Sequence, residues 1–553
     1  MKILHKIKNI CIYIKVKYRY LFNFKKAFSG NQKLPFGLIS LCCSMPIFAD
    51  LQFSEASFVT GTQHSHALVD GITSFDAAEG GGVAVGDYNQ DGHIDLYIVT
   101  GDDDDNVLLK NNGDGTFSDQ TSGSGLALSD VWNSGPVFAD INGDGWVDLL
   151  VGSMQGEGFF VFLNDQDGTF TDVSMASNVI QQNNDQNDIS TGLGDVDKDG
   201  DLDLFIGHHS WDVAPRRNHL WVNNGLGVFT AADGSAGTDA FGTLDLSFAP
   251  TFVDVNGDGW QDLLVTVDSN QSRVFLNDGD GSFTDDNGPN FNDQFGMGSA
   301  AADYDNDGDI DWFVTSIHDH PLGPQQGRTG NRLYINNGSG EFTDDSANAG
   351  VRQGYWGWGA CAADFDNDGW LDIFHVNGMY NISGQGNEYL SDPSRLFLNN
   401  QDGTFTESSS DAGLVDTGQG RTEVCFDYDE DGDIDIFVFN VGQSTLLYRN
   451  DLTDNPGYLQ VDVMPESLDK TLAGTVIEVV TGALTQTRHI TVGSNFESQE
   501  PFRQHFGLGG AQIVNQVRVT RPSGEVIILN NVGINQILLV NPEQAVFTDG
   551  FES

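Results

Sequence analysis

Along most of the chain, short apolar runs alternate with polar turns in a fixed order, and the spacing is not helical. A run of small or apolar residues such as GGVAVG (Gly81 to Gly86) enters an acidic loop, and the run DLYIV (Asp95 to Val99) leaves it. A third run follows, NVLLKNN (Asn106 to Asn112), then a Gly turn and a fourth, GTFSD (Gly115 to Asp119). The third and fourth runs return as FVFLNDQDGTFTD, HLWVNNGLGVFTA, RVFLNDGDGSFTD, RLYINNGSGEFTD and RLFLNNQDGTFTE. Apolar runs of this length bounded by Gly, Asn and Asp predict strands, so each unit reads as a four-stranded sheet.

The acidic loop dates the repeat. It reads DYNQDGHID (Asp87 to Asp95), DINGDGWVD (Asp140 to Asp148), DVDKDGDLD (Asp195 to Asp203), DVNGDGWQD (Asp254 to Asp262), DYDNDGDID (Asp303 to Asp311), DFDNDGWLD (Asp364 to Asp372) and DYDEDGDID (Asp427 to Asp435). Seven four-stranded units predict an all-β fold, a seven-bladed β-propeller over residues 51–450; a solenoid is the alternative, but the period is long for a β-helix. The seventh unit runs to TLLYRND (Thr445 to Asp451) and lacks its fourth run, which LQFSEASF (Leu51 to Phe58) can supply, closing the ring without an open edge.

Each loop offers oxygens at positions 1, 3, 5 and 9, with Gly at position 6 for a sharp turn, which is a donor set for a hard cation such as Ca²⁺. The predicted ligands are Asp87, Asn89, Asp91 and Asp95; Asp140, Asn142, Asp144 and Asp148; Asp195, Asp197, Asp199 and Asp203; Asp254, Asn256, Asp258 and Asp262; Asp303, Asp305, Asp307 and Asp311; Asp364, Asp366, Asp368 and Asp372; Asp427, Asp429, Asp431 and Asp435. An EF-hand would need Glu at position 12. That position holds Ile98, Val151, Ile206, Val265, Val314, His375 and Val438, so these are nine-residue strand connections expected to take about seven Ca²⁺ as structural staples.

Composition narrows the class. The formal charge of −55, from 80 acidic and 25 basic residues, excludes an electrostatic nucleic-acid binder, while 39% hydrophobic content excludes a disordered acidic polymer. Residues 1–49 hold nine Lys and Arg and no acid, ending in LPFGLISLCCSMPIFA (Leu34 to Ala49). They read as a secretory signal cleaved before Asp50, with a retained anchor or a later start as alternatives. No later segment reaches the length of a membrane span. Beyond the signal lie Cys361 and Cys425, three and two residues before their acidic loops. That parity puts them on opposite faces of equivalent strands and favours two buried thiols over a disulfide.

The seven units resemble the FG-GAP/VCBS repeats of secreted and integrin-like propellers. Residues 457–544 contain GSNFESQEPFRQHFGLGG (Gly493 to Gly510) and VRVTRPSGEV (Val517 to Val526), and resemble the ASPIC/UnbV domain of the cartilage acidic protein family. Arg521 departs from the Trp usual before PSG in that family. The alternation in this region reads as a small β-sandwich, with 545–553 as a tail and His505 as a structural residue of the sandwich. The resemblance implies extracellular calcium binding and recognition, without naming a ligand.

One further site is expected on the face opposite the acidic loops. His208, His209, His318, His320 and His375 are placed in or at the start of loops between second and third strands, with His64, His66, Trp356 and Trp358 in inter-blade segments. Together they predict a polar-ligand or transition-metal pocket with Trp as stacking platform; scattered surface His is the alternative. No nucleophile elbow, P-loop or dinucleotide fingerprint is present. The reading is therefore a secreted or cell-surface calcium-binding module, read as a monomer, for recognition or adhesion to an extracellular protein or glycan. The alternative is a secreted polysaccharide-active enzyme or metal-dependent oxidoreductase using the His-bearing face.

Overall fold

The computed structural model describes residues 51–154, 158–179, 187–209, 219–232, 236–238, 246–286, 291–382, 387–453, 456–465 and 471–541. The expected signal and the C-terminal tail lie outside the described residues. Among those described, no helix is long and apolar enough to cross a membrane.

Seven four-stranded antiparallel sheets follow one another in chain order. Blade 1 comprises Val83–Gly86, Asp95–Ile98, Val107–Asn111 and Phe117–Asp119, each strand pairing with the next. The innermost strands of the following blades are Asn133–Ala139, Asn187–Gly194, Ser247–Val253, Ser299–Ala302, Gly357–Ala363 and Gly420–Phe426. Each packs against its successor, and Gly420–Phe426 packs back on Val83–Gly86, so the seven sheets form a β-propeller. The last blade takes its fourth strand, Phe53–Glu55, from the start of the described chain. Phe53 pairs with Asn450 as Phe117 pairs with Asn111, so the captured strand keeps the common register.

The C-terminal region forms two sheets. Gly457–Val463 lies between Gln504–Gly509 and the parallel Ile537–Val540, and the order in the other sheet is Leu484–His489, Val476–Thr481, Val514–Thr520, Val526–Val532. Leu459, Val461, Ile477, Phe506, Val517 and Ile527 fill one core between them.

The link between the two sheets of the sandwich, residues 492–500, enters the propeller. The Val83 amide donates to the Glu497 carbonyl, the Leu193 amide to that of Val492, and the Thr251 hydroxyl to that of Ser494. Gln499 bonds both the amide and the carbonyl of Phe138, Asn495 Oδ1 accepts the Ala360 amide, and Ser498 bonds Thr422 and Glu423. Six of the seven blades thus meet this segment at their innermost strands, placing it on the ring axis. An innermost strand has one edge without a sheet neighbour, and these bonds occupy donors and acceptors that the blades cannot satisfy themselves.

The two cysteines are corrected by the fold. Cys361 and Cys425 form a disulfide with their Cα atoms 6.3 Å apart. The opposite parity brings the two side chains together rather than apart, because one face of a blade packs on the opposite face of the next. Residues of opposite parity in blades 6 and 7 therefore face each other. Replacing both with Ser is expected to cost about 4 kcal/mol, the loop-entropy figure for a closed loop of this length. A lowered urea midpoint reads the cost, and non-reducing peptide mapping should recover the linked pair.

Candidate metal centres

Each acidic loop is a nine-residue connection from an innermost strand to its neighbour, and its turn comes from local bonds. The position-1 carboxylate accepts the amide of the position-6 Gly in all seven loops, at 2.7–3.1 Å. Position 4 is left-handed in every copy, for example Gln90 at φ 54° and Asn367 at φ 57°. The position-5 carboxylate accepts the amide two residues on, as in Asp91 to His93 and Asp368 to Trp370. Ser, Asn and Asp favour such side-chain-to-backbone turns, so the sequence forms the loop before any tertiary contact.

Position 9 joins the loop to the blade. Asp95, Asp148, Asp203, Asp262, Asp311, Asp372 and Asp435 are buried, and each accepts the backbone amide of the Asn that ends the third strand, at 2.7–2.9 Å. Six of them also accept the amide of loop position 2 at 3.0–3.1 Å; in the first, Asn89 takes that place. Burial raises these carboxyls, Asp95 to about 9, Asp148, Asp203 and Asp311 to about 8, and Asp262 to about 7. Asp372 and Asp435 are driven up by burial and by the other loop carboxylates.

Four loops gather three carboxylates closely enough to hold a metal ion: Asp195, Asp197 and Asp199; Asp303, Asp305 and Asp311; Asp364, Asp366 and Asp372; Asp427, Asp429 and Asp435. Their ligand atoms lie within 4.8 Å of one another. The remaining loops carry Asn89, Asn142 and Asn256 at position 3, where an amide oxygen stands in for the third carboxylate. The donor set fits a hard cation on a second ground. Asp366 Oδ1 and Asp429 Oδ1 are buried and have no hydrogen-bond partner. A buried anionic oxygen without a donor is costly, and a cation is the partner its neighbours allow.

The Asn that ends each third strand joins neighbouring blades. Asn111, Asn164, Asn223, Asn277, Asn336, Asn399 and Asn450 each donate Nδ2–H to the carbonyl of position 8 in their own loop. Each also donates to the position-2 carbonyl of the preceding blade: Tyr428, Tyr88, Ile141, Val196, Val255, Tyr304 and Phe365, respectively. The first of these spans from blade 1 to blade 7, so the series runs round the whole ring.

The sandwich covers the loops of blades 6 and 7. Gln460 donates to Asp427, His505 bonds Asn367 at 2.6 Å, and the Gly509 amide donates to the Asn367 carbonyl. A Cβ on Gly507 would lie 2.1 Å from Asp364 Oδ2, so the HFGLG stretch needs Gly there to seat on the loop.

The nine residues expected to form a pocket on the other face do not come together. His208, His209 and His375 are not in loops: they lie buried within the second strands Asp203–His209 and Asp372–Asn377, which run further than Asp95–Ile98. His208 sits 3.0 Å from Asp188, His209 2.9 Å from Glu79, and His375 bonds Asn331. His64 is held at the edge of blade 7 by Thr445, and buried His66 accepts the Gly442 amide there. Trp358 is no stacking platform: it is buried, donates to the Gly378 carbonyl and lies under Arg421. Only His318, His320 and Trp356 meet, around Tyr389.

A family model described as FG-GAP-like repeat matches residues 87–151, 140–206, 195–265, 254–314 and 322–375; the first four matches each run from position 1 of one loop to position 12 of the next. A second, described as ASPIC and UnbV, matches residues 467–546. Human Cartilage acidic protein 1 is 27% identical over 282 residues, 49% of this chain and 40% of that protein. The mouse protein of the same name is 27% identical over 278 residues, 48% of this chain and 40% of that one. The match thus spans about two-fifths of these relatives' length. Among solved structures, an Agrocybe aegerita lectin, described as recognising non-reducing terminal N-acetylglucosamine, is 20% identical with a TM-score of 0.43, covering 65% of this chain and 88% of the lectin.

Replacing Asn277 by Ala is expected to cost about 2–6 kcal/mol, because the buried carbonyls of Val196 and Gln261 each lose a donor worth about 1–3 kcal/mol. The exposed neighbour Asp278→Ala should cost about 0.5 kcal/mol or less. Urea denaturation of the two variants checks the contrast.

Proposed function

We propose, from the premise that the chain belongs to the FG-GAP-like repeat family and carries an ASPIC and UnbV domain, that it is a calcium-pinned extracellular recognition module. The observation that carries the calcium half is the unpartnered buried oxygen at position 3, Asp366 Oδ1 and Asp429 Oδ1, inside a loop whose other acids are already turned to amides. Bound Ca²⁺ supplies positive charge that offsets repulsion among these carboxylates. Positions 1 and 5 shape the turn, position 9 ties it to the third strand, and position 3 completes the oxygen set. The expected stoichiometry is about seven, one per loop, at the modest affinity of about 10⁻⁴ to 10⁻³ M typical of extracellular modules.

Export is supported by the Cys361–Cys425 bridge, since structural disulfides persist in oxidising compartments, together with the basic-then-apolar stretch of residues 1–49. The architecture supports a reading of recognition of an extracellular protein or glycan: a rigid ring whose axis is filled leaves its loops as the surface available to a partner.

Elemental analysis of the purified chain should find about seven calcium ions, one per loop, and chelation should lower its melting temperature. Asp366→Ala and Asp429→Ala each remove the position-3 oxygen without removing a bond that shapes the turn. Each is expected to lose one calcium while the calcium-free melting temperature stays near that of the parent. A chain that melts identically in calcium and in chelator contradicts the proposal.

A further inference from the structure

We infer that the loops at the junction of blades 5 and 6, on the face away from the acidic loops, form a binding site for a uronic-acid residue, with Arg328, from the loop between the second and third strands of blade 5, holding its carboxylate. This rests on the recognition reading above and gives that reading a ligand class.

The starting point is charge. In a chain so acidic, the described arginines have partners. Arg273, Arg332, Arg352, Arg395, Arg449, Arg503, Arg518 and Arg521 each lie within ion-pair distance of a carboxylate. Arg421 and Arg488 are buried and bond carbonyls. Among the described arginines, Arg328 is the half-buried one with no carboxylate in that range. Asp319, which interacts with it electrostatically, has turned its Oδ2 to the amides of Gln326 and Gly327, at 2.8 and 2.7 Å.

The guanidinium is nevertheless held in place. It lies over the Trp356 ring at 5.5 Å and over the Phe295 ring at 5.6 Å. Stacking of this kind fixes the plane of the fork and leaves its edge to donate. A fixed guanidinium edge matches a carboxylate bidentately.

The surroundings suit a ring. Tyr355 and Phe295 are half-buried, and Tyr355 has φ 62°, a left-handed conformation that a bulky residue rarely adopts. Such strain is held by its surroundings, here Arg395 at 4.4 Å from the Tyr355 ring and His320 at 5.4 Å. His320 is itself oriented: its Nδ1 accepts the Leu322 amide at 3.1 Å, so Nε2 carries the proton toward Asp392, 3.3 Å away. An aromatic surface beside a fixed cation takes a sugar with a carboxylate. The field of a chain with charge −55 opposes a polyanion, so the ligand is a single uronate rather than a heavily sulfated chain.

The test is ligand-observed NMR on the full calcium-loaded chain at physiological salt, with methyl glucuronide, methyl glucoside and N-acetylalanine as probes. The glucuronide is expected to bind about tenfold or more tightly than either of the others. Arg328→Ala and Arg328→Lys should each lose about that factor, with calcium content and melting temperature kept. Equal binding of glucoside and glucuronide removes the carboxylate assignment, and equal binding of N-acetylalanine removes the sugar. No glucuronide binding at millimolar concentration, in a chain that still holds its calcium, overturns the site while leaving the calcium scaffold intact.

Discussion

Everything in this molecule hangs from the amide of one Asn per blade. Its Nδ2–H groups tie the carbonyl at the end of its own acidic loop to a carbonyl at the start of the previous one, while its backbone amide binds the position-9 carboxylate. The carbonyls at stake sit beside the buried position-9 acids, and buried backbone oxygens must be paired. A blade out of place would leave such an oxygen without a donor in itself and in the preceding blade, and an Asn Nδ2–H without an acceptor in the following one. Because Asn111 reaches Tyr428, the bonds close on themselves and no blade is an end. Each is a modest bond of about 1 kcal/mol net, but the penalty for leaving a pair unmade is larger, which makes the ring cooperative.

That clamp has an electrostatic consequence. To receive the Asn amide, the position-9 carboxylate must be buried beside the other loop acids, and burial, with the charges of Asp87 and Asp91, drives Asp95 up to about 9. The ring that gives order therefore concentrates negative charge in its own loops. Two devices oppose it: the amides turned toward positions 1, 5 and 9, and the oxygen set open to a cation. Over blades 6 and 7 the donor Gln460 adds a third at Asp427, while His505 and the close approach at Gly507 seat the sandwich on the loops. The sandwich is thus part of the propeller's interior, through residues 492–500 on the axis and the HFGLG strand on the loops.

The repeat, the four strands per blade and the completion of blade 7 by Phe53–Glu55 were legible because each is written locally: apolar runs, Gly at position 6, and a missing GTFTD matched by a spare one. The loop acids were legible for the same reason. The Asn clamp carried an equally regular signal, in NN or ND at the end of every third run, and was passed over because its second partner lies in another blade. The cysteines show the opposite case. Their parity could be counted, but what it meant depended on blades packing front to back, which no single strand reveals. Likewise, His208, His209 and His375 belong to second strands that extend further than the first blade's Asp95–Ile98, a difference in length that the repeat does not signal.

By itself the sequence determined the elements and the local chemistry: strand period, turn conformation, and which oxygens converge within nine residues. These depend on dihedral preferences and bonds between near neighbours, which act wherever the segment is placed. Only the tertiary structure decided which faces meet, which charges find partners and which edges are filled. It joined Cys361 to Cys425, set residues 492–500 against six blades, and left Arg328 beside Trp356 with no described carboxylate in ion-pair range. Those outcomes follow from closing a ring, a constraint that joins residues hundreds of positions apart and leaves no periodic trace in the chain.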